Sequence, residues 1–312
     1  MLIVDTESDP AFNLAAEEYL LRELDAPVIR LWRNRPCVVI GRHQIPCMEV
    51  NLLAAKELGI PVFRRISGGG TVYHDLGNLN FSFIGPLPKG EGIDFDRMLR
   101  PIVRAMDALG LPVEHVGRGD VRIGGSKISG NAAYLWRGRC LHHGTLLYDA
   151  NLDALERLLD VPEKSEWKAR SVRSVRSPVT QISSLCKGRF DGIEDFAQAL
   201  AKELSGEAPR AFGAEERKKI NALRESRYAT REWNLGETPE YALERDTASL
   251  GRLRFRVRQG LIRELSLSEG GTGHTPAPSA LSEGCWHEPE SVAHALLTLP
   301  EELRSLTLAD FF

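Results

Sequence analysis

The sequence predicts an α+β protein built from two domains. Patterns of apolar residues indicate more strands than helices, and the helices lie between strands without a regular strand–helix repeat. The 312 residues, 42% of them apolar and 27% charged, are enough to bury a core in about two domains. A change of composition near residue 230 favours a division there.

Cap residues and apolar periodicity predict the elements of the first domain. Met1 to Asp5 predict a short strand, and Asp9 and Pro10 suit the cap and first turn of a helix whose buried face carries apolar residues at 12, 15, 16, 19 and 20. Further strands are predicted at 28–33, 37–41, 61–66, 79–84, 113–116, 119–123, 127–135 and 140–148. Further helices are predicted at 49–58, 94–109, 152–159, 192–205 and 214–225.

The second domain is predicted from its own composition. Residues 231–312 contain eight arginines, no lysine and thirteen acidic residues. Within them, arginines at 252, 254, 256 and 258 alternate with apolar residues, which predicts a strand with a buried apolar face and a basic outer face. We interpret that outer face as a solvated sheet surface in preference to a dedicated anion site. Residues 268–284, rich in Gly, Ser, Thr and Pro, predict a mobile loop.

Charge and cysteine content argue against several classes of function. A formal net charge of −3 does not predict nucleic acid or an anionic membrane as partner. Neither an export signal nor an apolar run of about 18 residues is found, so no membrane span is predicted. The five cysteines form no C-x-x-C pair, so we expect no disulfide framework and no metal site. These features predict a cytoplasmic protein with free thiols.

Residues 64–80, with the sequence RRISGGGTVYHDLGNLN, carry the strongest functional pattern. Three glycines beside a serine and two arginines form a backbone that can close around a phosphate or carboxylate, because no side chain blocks the anion. The flanking residues 60–63 and 79–83 predict strands, so the glycines lie in a loop between them. A dinucleotide fingerprint or a P-loop has a different arrangement. For a triple glycine alone, an ordinary flexible connection stays open.

A second segment, residues 118–145, places a lysine among small residues. Gly124 and Gly125 predict a tight turn between two strands, with Lys127 just after it. A lysine that reaches an oxyanion benefits from small neighbours, here Ser129 and Gly130, whereas a solvated turn lysine does not need them. The segment alone leaves both interpretations open.

Four segments together resemble the lipoate-protein ligase family. They are RRISGGGTVYHDLGN at 64–78, KISGNA at 127–132, HHGTLL at 142–147 and SVRSPVT at 174–180. The resemblance covers residues 1 to about 225 and extends more weakly to 232–236, similar to the opening of the family's accessory domain. It implies the biotin and lipoate ligase fold, similar to class II aminoacyl-tRNA synthetase cores. A catalytic domain at 1–228 and an α+β accessory domain at 231–312 are the implied units.

The resemblance implies an ATP-dependent lipoate-protein ligase. Such an enzyme uses ATP and Mg²⁺ to convert (R)-lipoate, or octanoate, into an acyl adenylate, because joining a carboxylic acid to an amine is uphill in water. It then transfers the acyl group to a lysine of an apo lipoyl domain. The implied protein substrates are 2-oxoacid dehydrogenase acyltransferase subunits and the glycine cleavage H protein or H-like proteins. We expect the enzyme to be a monomer.

The resemblance also assigns site residues. Lys127 is expected to contact the lipoyl carboxyl oxygen and the α-phosphate, where a preorganised cation stabilises developing charge. Arg176 and Ser174 match the family's adenylate-binding loop, where Arg173 adds a second cation suited to closing over phosphate. The other expected substrate- and ATP-binding residues are Arg65, Ser67, Gly68, Gly69, Gly70, Thr71, Val72, Tyr73, His74, Asn78, Asp120, Ser129, Gly130, His143, Gly144 and Thr145.

Two histidine-containing pairs suggest other chemistry. His142 and His143 are neighbours on a predicted strand and project to opposite faces, so they cannot share one metal ion. We expect His143 to make hydrogen bonds at the site. His74 and Asp75 resemble a catalytic pair, but aminolysis of an adenylate needs no strong general base, so Asp75 is expected to fix the loop.

Three alternatives stay open. The first is a lipoyltransferase that uses preformed lipoyl-AMP, and the second is a non-enzymatic acyl-binding module. The third is a cysteine-dependent octanoyltransferase, which forms a thioester without ATP. One branch of those transferases has its cysteine where this chain has Pro112, and another has a Pro-Cys-Gly segment, whereas Cys186 here lacks that proline.

Overall fold

The structure is a computed structural model. It describes residues 1–88, 90–117, 119–161, 167–169, 171–175, 177–186, 188–248, 250–268, 275–276, 281 and 284–312. The strands are β1 Leu2–Val4, β2 Val28–Trp32, β3 Cys37–Ile40, β4 Val62–Arg64, β5 Val72–His74, β6 Asn78–Pro86, β7 Glu114–Val116, β8 Asp120–Ile123, β9 Ser126–Trp136, β10 Arg139–Leu147, β11 Trp167–Ala169, β12 Tyr241–Asp246, β13 Arg252–Arg258, β14 Leu261–Ser268 and β15 Thr275–Pro276.

The helices alternate irregularly with these strands. The α-helices are α1 Pro10–Glu23, α2 Pro46–Glu49, α3 Leu52–Leu58, α4 Phe95–Ala108, α5 Leu152–Leu159, α6 Ile182–Cys186, α7 Ile193–Leu204, α8 Ala214–Leu223 and α9 Pro289–Leu297. Two π-helical turns follow α8, at Arg224–Tyr228 and Glu232–Gly236. None of the helices in the described part of the chain combines the length and hydropathy that a membrane crossing needs.

A seven-stranded sheet forms the centre of the first 230 residues. Its strand order is β1-β2-β6-β10-β9-β8-β7, and its pairs are antiparallel apart from β1 with β2. Leu79, Phe81 and Leu146 belong to one apolar cluster with α4 and α7, whereas Ile84 and Leu141 belong to another with α1. Helices therefore cover both faces of a mostly antiparallel sheet, and the α+β prediction is confirmed.

A small sheet of order β4-β3-β5 carries the glycine loop between β4 and β5. The loop predicted between the strands at 60–63 and 79–83 is interrupted by β5, which pairs antiparallel with β3. Three residues are too few to show strand alternation, so the sequence pattern missed this strand. The single helix predicted at 49–58 is also wrong. It divides into α2 and α3 because Val50 is extended and the Asn51 side chain caps α3 at the Ala54 amide.

The C-terminal residues form a five-stranded sheet of order β11-β12-β13-β14-β15. Buried Leu253, Phe255 and Val257 alternate with arginines on β13, as predicted. Those arginines make cross-strand ion pairs with Glu240, Glu244, Asp246 and Glu264. The basic stripe is therefore a charge-paired sheet surface, as the sequence analysis favoured. The predicted mobile loop at 268–284 lies largely outside the described residues.

The two parts of the chain share an apolar core. Val38, Ile40 and Met48 belong to the same buried cluster as Leu253 and Phe255. In addition, β11 pairs with β12 and so contributes an edge strand to the C-terminal sheet. The division into 1–228 and 231–312 stays a prediction, and the shared core makes separation of the two units costly.

Candidate functional site

The glycine loop is held in place from behind by Arg65. This buried side chain donates from Nε to Ser67 Oγ at 2.9 Å and from Nη2 to the carbonyls of Gly68 and Gly70 at 2.6 and 2.7 Å. Burial lowers the pKa of Arg65 to about 10, so the guanidinium remains charged at neutral pH. The loop is also packed tightly, because a Cβ on Gly41 would lie 2.2 Å from the Gly69 carbonyl oxygen. Arg65 therefore fixes the shape of the loop.

A buried serine–histidine–glutamate chain supports the same loop. His143 Nδ1 lies 2.9 and 3.0 Å from the two carboxylate oxygens of Glu17, and His143 Nε2 lies 2.6 Å from Ser67 Oγ. Burial raises the pKa of Glu17, but the charge and hydrogen bond of His143 outweigh it and leave that pKa below its usual value. Ser67 is fully buried and its oxygen already accepts from Arg65. The chain positions the loop and cannot present Ser67 as a nucleophile.

Lys127 lies on β9, immediately after the predicted turn. Gly124 and Gly125 have φ angles of 56° and 83°, which suit glycine in a tight hairpin turn. Lys127 Nζ lies 2.7 Å from Asp120 Oδ1, and its side chain is 23% exposed. A Cβ on Gly130 would lie 3.3 Å from Lys127 Cε and 3.4 Å from Nζ, so the glycine leaves space for the lysine stem. The predicted association of Lys127 with small residues is thus present in the structure.

The next motifs pack against the strand that carries Lys127. Thr145 Oγ1 accepts from the Gly130 amide at 3.2 Å, and buried Ser129 Oγ accepts from Asn131 Nδ2 at 3.0 Å. A Cβ on Gly144 would lie 2.1 Å from Asn131 Oδ1, so only glycine fits at that position. The Lys127 amide donates to the Pro178 carbonyl, and the Thr180 amide donates to the Lys127 carbonyl. The four motifs therefore meet around β9.

A cavity of about 850 Å³ lies at this meeting point. Thr71, Val72 and Tyr73 line one side, Lys127, Gly130 and Thr145 another, and Arg173, Ser174, Ser177 and Val179 a third. Leucines from the end of β10 and from α5 form an apolar wall. The volume is within the range of small-molecule sites. A larger cavity of about 1110 Å³ between β1, β2 and α7 contains none of the predicted site residues.

The remaining predicted residues in the described part of the chain lie outside the lining of this cavity. Arg65, Ser67 and His143 lie behind the loop, Gly68, Gly69 and Gly70 form its backbone, and Gly144, on β10, packs against Asn131 and Phe81. Asp120 contacts Lys127, and Ser129 is buried. Arg176 lies outside the described residues.

His74 and Asn78 are both buried in a polar layer under the loop. His74 Nδ1 lies 3.0 Å from Asn34 Nδ2, and burial lowers its pKa to about 3. Asn78 Nδ2 donates to Asn80 Oδ1 at 3.0 Å. Asp75 accepts from the Gly77 and Asn151 amides, which agrees with its expected role in fixing the loop.

The described residues contain no group of three or more His, Cys, Asp or Glu side chains that could hold a metal ion. His143 points to Glu17 and Ser67, whereas His142 packs among Phe81, Phe83 and Phe95. The two histidines thus face opposite sides of β10, as predicted.

Comparison with known proteins identifies the family. The lipoyl protein ligase A/B catalytic domain matches residues 9–205. The chain belongs to this family. It is 34% identical over 299 residues to lipoate–protein ligase 1 of Staphylococcus aureus, covering 93% of this chain and 90% of that protein. It is 32% identical to lipoate-protein ligase LplJ of Bacillus subtilis, covering 100% of this chain and 98% of that protein.

Solved structures of lipoate-protein ligases share the fold. A lipoate-protein ligase A bound with ATP matches with a TM-score of 0.62 and 28% identity, over 75% of this chain and 97% of that chain. A T. acidophilum protein with bound lipoic acid matches with a TM-score of 0.63 and 27% identity, over 75% and 98% of the two chains. A bipartite T. acidophilum lipoate protein ligase, described with its E2 lipoyl domain, matches with a TM-score of 0.63 and 28% identity, over 75% of this chain and 94% of that chain. The expected biotin and lipoate ligase fold and the ligase class are confirmed.

Several residues around the glycine loop and the cavity carried no recognisable sequence pattern. Glu17 lies within α1, Gln44 lies two residues before α2, and Glu49 is the last residue of α2. Polar residues are common at such positions. Glu17 contacts His143, Gln44 contacts Thr71 and Glu49 contacts Ser174, and each of these partners is distant in sequence.

Proposed function

We propose that the protein is an ATP-dependent lipoate-protein ligase that forms lipoyl-AMP and transfers the lipoyl group to one lysine of a lipoyl domain. One observation carries the proposal. Lys127 lies where the glycine loop, the apolar wall and residues 173–175 and 177–179 meet in one cavity. The cavity thus offers apolar side chains for an acyl chain and the cations Lys127 and Arg173 for a carboxylate and a nucleotide phosphate.

In the first step a lipoate carboxylate oxygen attacks the α-phosphorus of ATP, and pyrophosphate leaves with the electrons of the broken P–O bond. Lys127 donates hydrogen bonds to the carboxylate and to the α-phosphate, which brings two anions together and stabilises the charge that accumulates in the transition state. Asp120 holds Lys127 Nζ before the substrates bind. Because Lys127 is already oriented, little reorganisation is needed.

In the second step the neutral amine of a substrate lysine attacks the acyl carbon, and AMP leaves with the electrons of the C–O bond. The amine proton passes to water or to the departing phosphate. His74 and His142 are unsuited to this proton transfer, since burial lowers the pKa of both to about 3. AMP is a good leaving group, so this chemistry needs no strong base.

ATP and lipoate are proposed as substrates because similar solved structures hold them. The described residues form no dedicated metal site, so we propose that Mg²⁺ arrives with ATP, held by phosphate and water oxygens. The proposed acyl substrate is (R)-lipoate, with octanoate as the shorter alternative. Ligation assays with each acid measure the preference of the enzyme between lipoate and octanoate.

The proposed partners are apo lipoyl domains, supported by the bipartite ligase that is described with its E2 lipoyl domain. Acyltransferase subunits of 2-oxoacid dehydrogenases and the glycine cleavage H protein or H-like proteins carry such domains. The monomeric state and the cytoplasmic location remain predictions from the sequence.

The burial of the cysteine thiols argues against a cysteine-dependent octanoyltransferase. All five cysteines are buried, and none lines the 850 Å³ cavity. Burial raises the pKa of Cys140 to about 11 and also raises the pKa of Cys186, so both remain protonated at neutral pH. A protonated buried thiol is a poor nucleophile.

One assay separates the proposal from its alternatives. The protein is incubated with lipoate, Mg-ATP and an apo lipoyl domain, and pyrophosphate, AMP and the lipoylated domain are measured. All three products are expected. Lipoylation from supplied lipoyl-AMP without pyrophosphate release from ATP would indicate a lipoyltransferase, and lipoate binding without any product would indicate a binding module.

A further inference from the structure

A network of side-chain hydrogen bonds joins the glycine loop to residues 171–175. We call it the Ser174 network, and its members are Gln44, Glu49, Thr71 and Ser174. Ser174 Oγ lies 2.9 Å from the Thr71 amide, 3.1 Å from Gln44 Nε2 and 2.5 Å from Glu49 Oε2. The network thus connects three segments that are far apart in sequence.

The directions of these hydrogen bonds are determined by chemistry. The Thr71 amide and Gln44 Nε2 can only donate, so Ser174 Oγ accepts from both. The Ser174 hydroxyl has one proton, which must go to Glu49. The Ser174 amide donates to the same Glu49 oxygen at 3.1 Å. Every donor and acceptor of Ser174 Oγ is therefore used, and Glu49 is its only acceptor within the network.

Gln44 is oriented in the same consistent way. Its Oε1 accepts from the Gly41 amide at 2.8 Å and lies 3.0 Å from Thr71 Oγ1, which leaves Nε2 as the donor to Ser174. Thr71 is one of the expected substrate-binding residues, and it lines the cavity. Its hydroxyl also completes the network from the side of the glycine loop, by donating to Gln44 Oε1.

Glu49 is a buried acid at a site that must accept an anion. It lines the cavity, is only 6% exposed, and its Oε1 lies 3.3 Å from Arg173 Nε. A buried carboxylate without partners would repel a nucleotide phosphate. Here its charge is offset by Arg173 and by the two bonds from Ser174. The same contacts hold Arg173 and Ser174 at the edge of the cavity.

We propose that Glu49 is a positioning residue for the ATP-dependent half-reaction. It holds Ser174 against Thr71 and thereby orders residues 171–175 before the nucleotide binds. This inference rests on the proposed function, because it requires Mg-ATP to bind beside Lys127. Glu49 itself does not touch the reacting atoms. Without Glu49, residues 171–175 must become ordered when the nucleotide binds, and the free-energy cost of that ordering weakens binding.

The test compares Glu49→Ala, Ser174→Ala and the double variant in the full-length protein. Lipoate-dependent pyrophosphate release gives kcat and the KM for ATP, and calorimetric titration with Mg-ATP gives the dissociation constant directly. We expect Glu49→Ala to raise that KM and that dissociation constant about tenfold with kcat changed less than threefold. Glu49→Gln keeps an acceptor for Ser174 and should stay within threefold of the parent. The matched control is Glu203→Ala, an exposed acid on α7.

The double variant separates positioning through Ser174 from an independent effect. If Glu49 acts through Ser174, the double variant binds Mg-ATP no more weakly than Glu49→Ala alone. The proposal would be overturned if the double variant weakened Mg-ATP binding by the product of the two single-variant effects. An unchanged dissociation constant in Glu49→Ala would also overturn it. A parent protein that binds Mg-ATP but releases no pyrophosphate would refute the proposed function while the binding comparison still tests Glu49. A parent that binds no Mg-ATP would overturn both.

Discussion

Arg64 joins the C-terminal part of the chain to the loop beside the glycines. It is fully buried, and its guanidinium donates to the carbonyls of Gly41, Arg42 and Gln44 on one side and of Trp233 and Asn234 on the other. Nη2 also donates to the Thr238 hydroxyl at 2.6 Å. Arg64→Met removes all of these donors and leaves buried carbonyl groups unpaired.

The expected loss of stability follows from this count. Each hydrogen bond to a charged group contributes about 1.5–3 kcal/mol, but bonds that share one guanidinium are not additive. Leaving one buried acceptor without a donor costs about 1–3 kcal/mol, and several carbonyls lose their donor here, so Arg64→Met should lower the free energy of unfolding by about 4 kcal/mol. Arg64→Lys keeps the charge with three donors in place of five and should lose about half as much.

Denaturant unfolding, followed by tryptophan fluorescence, measures this loss. Trp233 reports on the site directly, because its Nε1 donates to the Arg64 carbonyl at 2.7 Å. The control is Arg100→Met, an exposed position on α4, which should change the free energy by less than about 0.5 kcal/mol. A loss below about 1 kcal/mol for Arg64→Met would refute the reasoning, since it would mean that these contacts contribute little to the folded state.

Four further predictions concern catalysis, thiols, domains and pH. Lys127→Met should lower lipoate-dependent pyrophosphate release at least about 100-fold without changing the thermal midpoint by more than a few degrees, and near-normal release would remove Lys127 from the mechanism. Cys140→Ser combined with Cys186→Ser should leave ligation within a few-fold of the parent, whereas lost turnover with a trapped acyl-cysteine in the parent would favour the transferase. A chain ended after Tyr228, if circular dichroism shows it folded, should lose adenylation while still transferring from lipoyl-AMP, and retained adenylation would show that the C-terminal part is dispensable for that step. Burial raises the pKa of Asp9, but the hydrogen bonds from Arg224 and the Phe12 amide outweigh burial and leave that pKa below its usual value, so Asp9→Asn should destabilise the protein at pH 7 and have a smaller effect as the pH falls below about 3.8; an effect that does not shrink below that pH would contradict this.

The sequence was informative where function depends on local backbone chemistry. The glycine loop, the turn at Gly124 and Gly125, and Lys127 are adjacent in sequence to the strands that hold them, so their arrangement followed from short patterns. The opposite orientation of His142 and His143 followed from strand geometry alone.

The residues that were missed depend on long-range burial. Glu17 is an ordinary helix residue by sequence, yet it is fully buried under the glycine loop because α1 packs on the large sheet. Gln44 and Glu49 likewise contact Ser174, which is distant from them in sequence. The strand Val72–His74 was missed because its stability comes from pairing with β3. Contacts between segments that are distant in sequence leave no periodic pattern in either segment.

Arg64 shows the same limit of prediction from local sequence. In the sequence it is one of two basic residues beside the glycines, which suggested anion binding. In the structure both Arg64 and Arg65 direct their donors to protein carbonyl groups. Local charge alone cannot distinguish a ligand contact from a structural one.

The central claim is that lipoate becomes activated by attack of its carboxylate on the α-phosphorus of ATP. The most direct test uses lipoate labelled with ¹⁸O in the carboxyl group, Mg-ATP and an apo lipoyl domain, with mass spectrometry of the AMP released. If lipoyl-AMP is formed and the lysine then attacks the acyl carbon, the bridging oxygen stays with phosphate, and each AMP carries one ¹⁸O. Formation of the lipoylated domain with unlabelled AMP, or with no AMP, would contradict the account.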